Sequence, residues 1–144
     1  MKKTAQFSIV LVTAPSLKAA RSLAASALKR RQAACANIIS AVESHFWWQG
    51  KIEQSKEALI LFKTTRRRLA ALEELILQEH PYDTPEFVVL PIEAGSERYL
   101  KWIAASTVMP HSWTVGRDSV EPKLDFLGKS HGSTESRPTF PRRH

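Results

Sequence analysis

Trp47-Trp48-Gln49-Gly50 lies between two long β-type segments, and how it is read decides the fold. Glycine tolerates positive φ, so Gln49-Gly50 reads as a turn. Gln-Gly is a weaker turn signal than Asn-Gly, so a two-residue turn and a bulged or longer loop both stay open. Upstream, Cys35 to Val42 is small and β-branched and runs on through Phe46-Trp47-Trp48. Ala36, Ile38 and Val42 share one face of this strand, and Asn37, Ile39 and Ala41 the other. Downstream, Lys51 to Lys63 returns. A two-residue turn sets Trp47 opposite Ile52, Asn37 opposite Phe62 and Cys35 opposite Thr64. The ribbon is then about a dozen residues a side, against a usual five or six. Its distal half, Glu53-Gln54-Ser55-Lys56-Glu57, is polar. One small sheet cannot cover both faces and both edges of such a ribbon.

Around the hairpin the pattern alternates. Phe7 to Val12 is apolar and β-branched, a largely buried strand that Thr13-Ala14-Pro15 ends. Ser16 can cap a helix starting at Leu17, with Leu17, Ala20, Ala24, Ala27 and Leu28 on one face and Lys29-Arg30-Arg31 closing it. Thr64-Thr65 offers the next cap, before a helix with Leu69, Leu72, Leu75 and Ile76 inward that ends near Glu79-His80. His80-Pro81-Tyr82-Asp83-Thr84-Pro85 is a loop. Glu86 to Ile92 is a fourth strand, whose Pro91 points to a strand end or an edge. Gly95-Ser96 starts a short third helix with Tyr99, Trp102 and Ile103 inward. After Ser106 the periodicity stops, and residues 107–144 read as a poorly ordered tail in which only Val120 to Leu127 could dock. The order β-α-β-β-α-β-α predicts an α+β ferredoxin-like βαββαβ sandwich over residues 1–106. It carries an extended hairpin between its second and third strands and a C-terminal helix.

Composition narrows the classes. The chain has 144 residues, room for one domain and a tail. No apolar run reaches the roughly 20 residues a membrane span needs, and the apolar segment after Lys2-Lys3 reads as a strand rather than a signal peptide. The single cysteine, Cys35, excludes an intrachain disulfide and makes a reducing cytoplasm the default. A net charge of +7 favours polyanions in general without identifying a nucleic-acid binder.

Several blocks in a fixed order carry a resemblance. They are Val12-Thr13-Ala14-Pro15, Ala33-Ala34-Cys35-Ala36-Asn37-Ile38, Trp47-Trp48-Gln49-Gly50-Lys51-Ile52-Glu53, Lys63-Thr64-Thr65 and His80-Pro81-Tyr82-Asp83-Thr84-Pro85-Glu86. Tyr99-Leu100-Lys101-Trp102-Ile103 completes them. Over residues 7–106 the chain resembles the CutA divalent-cation tolerance family. The resemblance implies a ferredoxin-like fold assembled as a tight homotrimer in the cytoplasm. It implies binding of divalent cations, copper above all, with no organic cofactor and no assigned reaction. It also implies that Trp48, Glu57, Lys63, Tyr82 and Glu86 cluster around a cleft between subunits. That set could hold a small polar ligand, or it could be an ion-pair network.

Cys35, His80 and Glu86 are the candidate metal ligands. A thiolate suits copper, and imidazole with carboxylate suits borderline metals. A lone cysteine in a small-residue strand is more often a packed hydrophobe. His80 and Glu86 could equally be a loop histidine and a solvated carboxylate. Some family members carry a second cysteine where this chain has Val12, so no paired thiolate site forms within one subunit. No HxxxH or CxxC spacing occurs. His45 lies in the hairpin arm; His111, His131 and His144 are scattered through the tail.

Phe46-Trp47-Trp48 is costly to leave in water, which points to a subunit interface or a ligand cleft. Arg66-Arg67-Arg68 opens the second helix, either as solvated surface or as an anion site. Two other functions compete with metal binding. One is effector sensing of the PII type, to which the family is similar in architecture, although no Gly-rich phosphate cradle is present. The other is RNA binding through the shared element order. There the strand Glu57-Ala58-Leu59-Ile60-Leu61-Phe62-Lys63 lacks the paired aromatics that stack bases. Hydrolytic catalysis has no Ser-His-acid or metal-hydrolase spacing behind it.

Overall fold

The structure, a computed structural model, describes residues 1–109. The strands are β1 (Lys2–Lys3), β2 (Phe7–Ala14), β3 (Cys35–Trp48), β4 (Lys51–Thr65), β5 (Val88–Pro91) and β6 (Ala94–Gly95). The helices are α1 (Leu17–Lys29), α2 (Leu69–Glu79) and α3 (Glu97–Ser106). Four strands form one antiparallel sheet in the order β3-β4-β2-β5, which is the ferredoxin-like arrangement. β1 and β6 make a separate two-stranded patch. It was not foreseen, because two residues carry no readable period.

Alternation on β2 and β4 places the core. Val10, Val12, Ala14, Ala58, Ile60 and Phe62 point to one face and are fully buried. There they meet Ala20, Leu23 and Ala27 of α1 and Leu72, Leu75 and Ile76 of α2. The opposite face holds Ile9, Leu11, Leu59, Leu61, Ile39, Val88 and Leu90, half-buried or exposed. One end of that face lies under α3, whose Tyr99 ring is 5.7 Å from Lys63 Nζ, and at the other end Thr13 and Glu57 are buried.

The hairpin turns at Gln49-Gly50, both at positive φ as a two-residue turn requires. Next to the turn the expected register holds, with Trp47 opposite Ile52 and Val42 opposite Glu57. Beyond a β-bulge between Ile39 and Val42 it does not. Asn37 faces Leu61, not Phe62, and Cys35 faces Lys63, not Thr64. Ser40 and Ala41 together oppose one residue, Ala58, with Ala41 at φ 64°. Because directly opposed residues share a face, the extra residue also reverses the facing. Ala36 and Ile38 share the core face with Phe62 and Ile60, whereas Val42 sides with Glu57 on the opposite one. The expected grouping of Val42 with Ala36 and Ile38 is thereby corrected.

Other boundaries move for identifiable reasons. β2 runs to Ala14, since it keeps pairing with β4 as far as Ala58. α1 stops at Lys29 in a Schellman motif: the Gln32 N–H donates to Ala27 O at 2.9 Å and the Arg31 N–H to Leu28 O at 3.0 Å. Arg31 holds the left-handed position, φ 57°, that glycine usually takes. Leu28 is exposed, and Leu23 takes its place inside. Neither Thr64 nor Thr65 caps α2. Thr64 Oγ1 donates instead to Gln32 O at 2.7 Å, and a 3-10 turn at Arg66–Arg68 leads into the helix. The fourth strand is shorter than expected, Val88–Pro91, and lies at a sheet edge as Pro91 indicated. In α3 the phase differs by one residue. Leu100, Ile103 and then Thr107 point inward, while Tyr99 and Trp102 are 42% and 44% exposed. Thr107 belongs to the domain, its Oγ1 donating to Ile103 O at 3.0 Å. What the sequence led us to expect of residues 110–144, His111, His131, His144 and Val120 to Leu127 included, lies outside the described residues.

A non-glycine residue in the left-handed region costs roughly 1–2 kcal/mol. Ala41→Gly should therefore raise the unfolding free energy by about 0.5–1 kcal/mol, and Ala41→Val should lower it by more than about 1 kcal/mol. Urea unfolding at constant m-value measures both. Equal midpoints for the two variants would show that the bulge does not hold Ala41 at positive φ.

Candidate functional site

β2 ends opposite Ala58, and the loop after α2 wraps over that end. His80, Tyr82, Glu57 and Thr13 are all buried there. His80 Nε2 lies 2.8 Å from Thr13 O, and a carbonyl can only accept, so Nε2 carries the proton. Nδ1 then accepts from the Tyr82 N–H at 3.0 Å. The two rings stand 4.8 Å apart at 51°. The Tyr82 hydroxyl donates to Glu57 Oε2 at 3.0 Å. One chain of contacts thus joins the end of β2, the loop and β4. Beside it Thr13 Oγ1 is buried without a hydrogen-bond partner, an unusual state for a polar atom.

The expected metal ligands do not meet within one chain. Both nitrogens of His80 are committed to backbone groups, so it does not fit as a ligand. Cys35 is half-buried, pairs across the ladder with Lys63, and has its Sγ 3.6 Å from Asn37 Oδ1. Glu86 is half-buried past the loop. Among the described residues no three His, Cys, Asp or Glu side chains gather closely enough to hold a metal ion. In the arm, His45 Nε2 contacts Glu43 Oε2 at 2.7 Å on exposed surface.

The expected cleft residues are likewise dispersed. Tyr82 and Glu57 touch. Lys63 lies six residues from Glu57 along β4, about 20 Å of strand. Trp48, opposite Lys51, is six residues away in the other direction, about 20 Å again. Within a single chain these three side chains are strung along the ribbon rather than gathered in a pocket. Sequence reasoning passed over Thr13, taken only as the end of a strand. Its place immediately before Ala14-Pro15, where the sheet stops, was the available signal. Arg31 and Arg68 were noted only within their basic runs, and that their guanidinium groups reach the end of α3 was not foreseen.

A four-stranded antiparallel sheet in this order, two helices on one face and an overlong second hairpin define a ferredoxin-like α+β protein with a projecting arm. Within that class the chain belongs to the CutA1 divalent ion tolerance protein family, whose model matches residues 8–106. It is 44% identical over 98 residues to the divalent-cation tolerance protein CutA of Escherichia coli, covering 68% of this chain and 88% of that one. A rice relative, the chloroplastic protein CutA 1, is 41% identical over 99 residues, 69% of this chain but only 56% of the rice protein's length. The crystal structure of CutA1 from Oryza sativa superposes with a TM-score of 0.71 at 39% identity, covering 74% of this chain and 98% of that one. Among the described residues no helix is long and apolar enough to cross a membrane.

Tyr82→Phe removes the donor to a buried carboxylate and should lower stability by about 1–3 kcal/mol. His80→Ala removes two buried hydrogen bonds and should cost at least as much. Guanidinium denaturation of both variants measures this, and a Tyr82→Phe midpoint equal to that of the parent chain would refute the importance of the Glu57 contact.

Proposed function

We infer that this chain acts as a homotrimeric, non-catalytic divalent-cation tolerance protein of the cytoplasm, with copper as its foremost cation. The observation that carries the assembly is the overhang of the hairpin. β2 stops opposite Ala58, so residues 42–57 project as a two-stranded ribbon with no third strand beside it among the described residues. Such a ribbon is marginal in water. Yet it carries Trp47 at 72% exposure directly opposite Ile52 at 65%. The uncovered sheet face adds Ile39, Val88 and Leu90, all exposed. A second and a third copy of the same chain supply the missing cover, and the family's implied trimer sets the number. Burying Ile52 alone contributes about 1.5–3 kcal/mol.

Assembly also accounts for the dispersed ligands. Trp48, Glu57 and Lys63 can share a cleft only if different copies contribute them. Cys35 supplies the soft donor that suits copper, with Glu86 as a carboxylate from a joined copy and no part for His80. A single cysteine fits a reducing compartment.

A second reading is favoured by the end of β2. The Tyr82–Glu57 pair beside an unpartnered Thr13 hydroxyl offers a small polar effector an acid, a phenol and an alcohol. This is the PII-type alternative. RNA binding has less support, because Leu59 and Leu61, not aromatics, occupy the central strand of the open face.

Light scattering should give three times the chain mass, and Trp47→Glu with Ile52→Glu should give a smaller species. A monomeric parent chain would sink the assembly. Equilibrium dialysis at neutral pH should show copper bound by the parent chain and at least tenfold more weakly by Cys35→Ala. Equal binding by the two would remove Cys35 from the site.

A further inference from the structure

Two arginines from distant parts of the chain meet at the end of α3. Arg31 Nη1 donates to Ser106 O at 3.1 Å, and Arg68 Nε donates to Thr107 O at 2.8 Å. Consecutive residues are only about 3.8 Å apart, so these two hydrogen bonds bring the two guanidinium groups to one spot. Arg66 and Arg67 flank them, both exposed, on the turn before α2. Among the described residues none of the four has an acidic partner; ion pairs such as Lys101–Glu97 lie elsewhere. Desolvation, and after it the charge of Arg67, lowers the Arg68 pKa from its ordinary value. Among the described residues like charge is therefore concentrated here without an acidic partner.

Two features sharpen the point. The first turn of α2 has no acidic residue, so the positive end of the helix dipole adds to this charge instead of offsetting it. Each guanidinium has five N–H donors, of which the α3 carbonyls use one from Arg31 and one from Arg68. The remaining donors form a planar, forked set of the kind that matches phosphate oxygens.

We propose that Arg31, Arg66, Arg67 and Arg68 form a binding site for a small phosphate-bearing anion, separate from the cation chemistry of the family. A compact cluster on two neighbouring turns suits an oligophosphate better than a nucleic-acid strand, which needs a basic track several nucleotides long. The exposed Trp47 cannot extend this cluster, since it lies at the opposite end of the ribbon, about 40 Å of strand from Cys35.

The test is calorimetric titration of the full chain with inorganic triphosphate, with sulfate and a twelve-nucleotide single-stranded DNA as parallel arms. Arg66→Ala with Arg67→Ala leaves both α3 contacts in place, and circular dichroism verifies its fold. Triphosphate binding that weakens at least tenfold in this variant, exceeds sulfate binding and falls as salt rises supports the site. No triphosphate binding, or equal binding by the variant, overturns it. Tighter binding of the DNA than of triphosphate also overturns it, by showing a nucleic-acid surface.

Discussion

A two-stranded ribbon has no inside, and everything unusual about this chain follows from carrying one beyond the end of its sheet. β2 supports β4 as far as Ala58; past that point β3 and β4 have only each other. The proximal half behaves as an ordinary ferredoxin-like sheet, with one face under α1 and α2. Among the described residues no third strand pairs with the distal half. The bulge at Ser40–Ala41 sits at this junction and re-aims the side chains where the surroundings change. It assigns Val42, Phe46 and Trp48 to the same face as Glu57 and Glu53, and it leaves Trp47 and Ile52 on the other.

The buried polar chain of His80, Tyr82, Glu57 and Thr13 occupies the same junction. A strand that ends inside a domain leaves backbone groups to satisfy. The loop after α2 answers with an imidazole that satisfies Thr13 O and the Tyr82 N–H together. This contact ties the loop to the point where the ribbon departs.

Element order, the turn at Gln49-Gly50 and the edge position of β5 were legible because each depends on short-range chemistry: apolar periodicity, glycine and proline. The register beyond the bulge was not. No glycine marks Ser40-Ala41, although Ala41 takes a positive φ that glycine favours. Thr64-Thr65 looked like a cap, but Thr64 spends its hydroxyl on Gln32, a partner 32 positions away. In α3, Ile103 is inward as expected, but Tyr99 and Trp102 outrank Leu100 in size, so hydrophobicity alone set two exposed residues inward. The candidate site was legible as residue types, since Tyr82 and Glu57 both stood out. Their contact across 25 positions was not, and neither was the use of both His80 nitrogens by the backbone.

The bulge has a consequence for how this arm can change over generations. Exposed polar positions of the arm, such as Gln54 and Lys56, should accept exchanges of one side chain for another. Loss or gain of one codon is different. Removing the extra residue at Ser40–Ala41 would turn every distal side chain of β3 to the opposite face, exchanging Phe46 and Trp48 for His45 and Trp47 at a stroke. Among related chains those polar positions should therefore vary in spelling while the arm keeps its length between Ile39 and the turn.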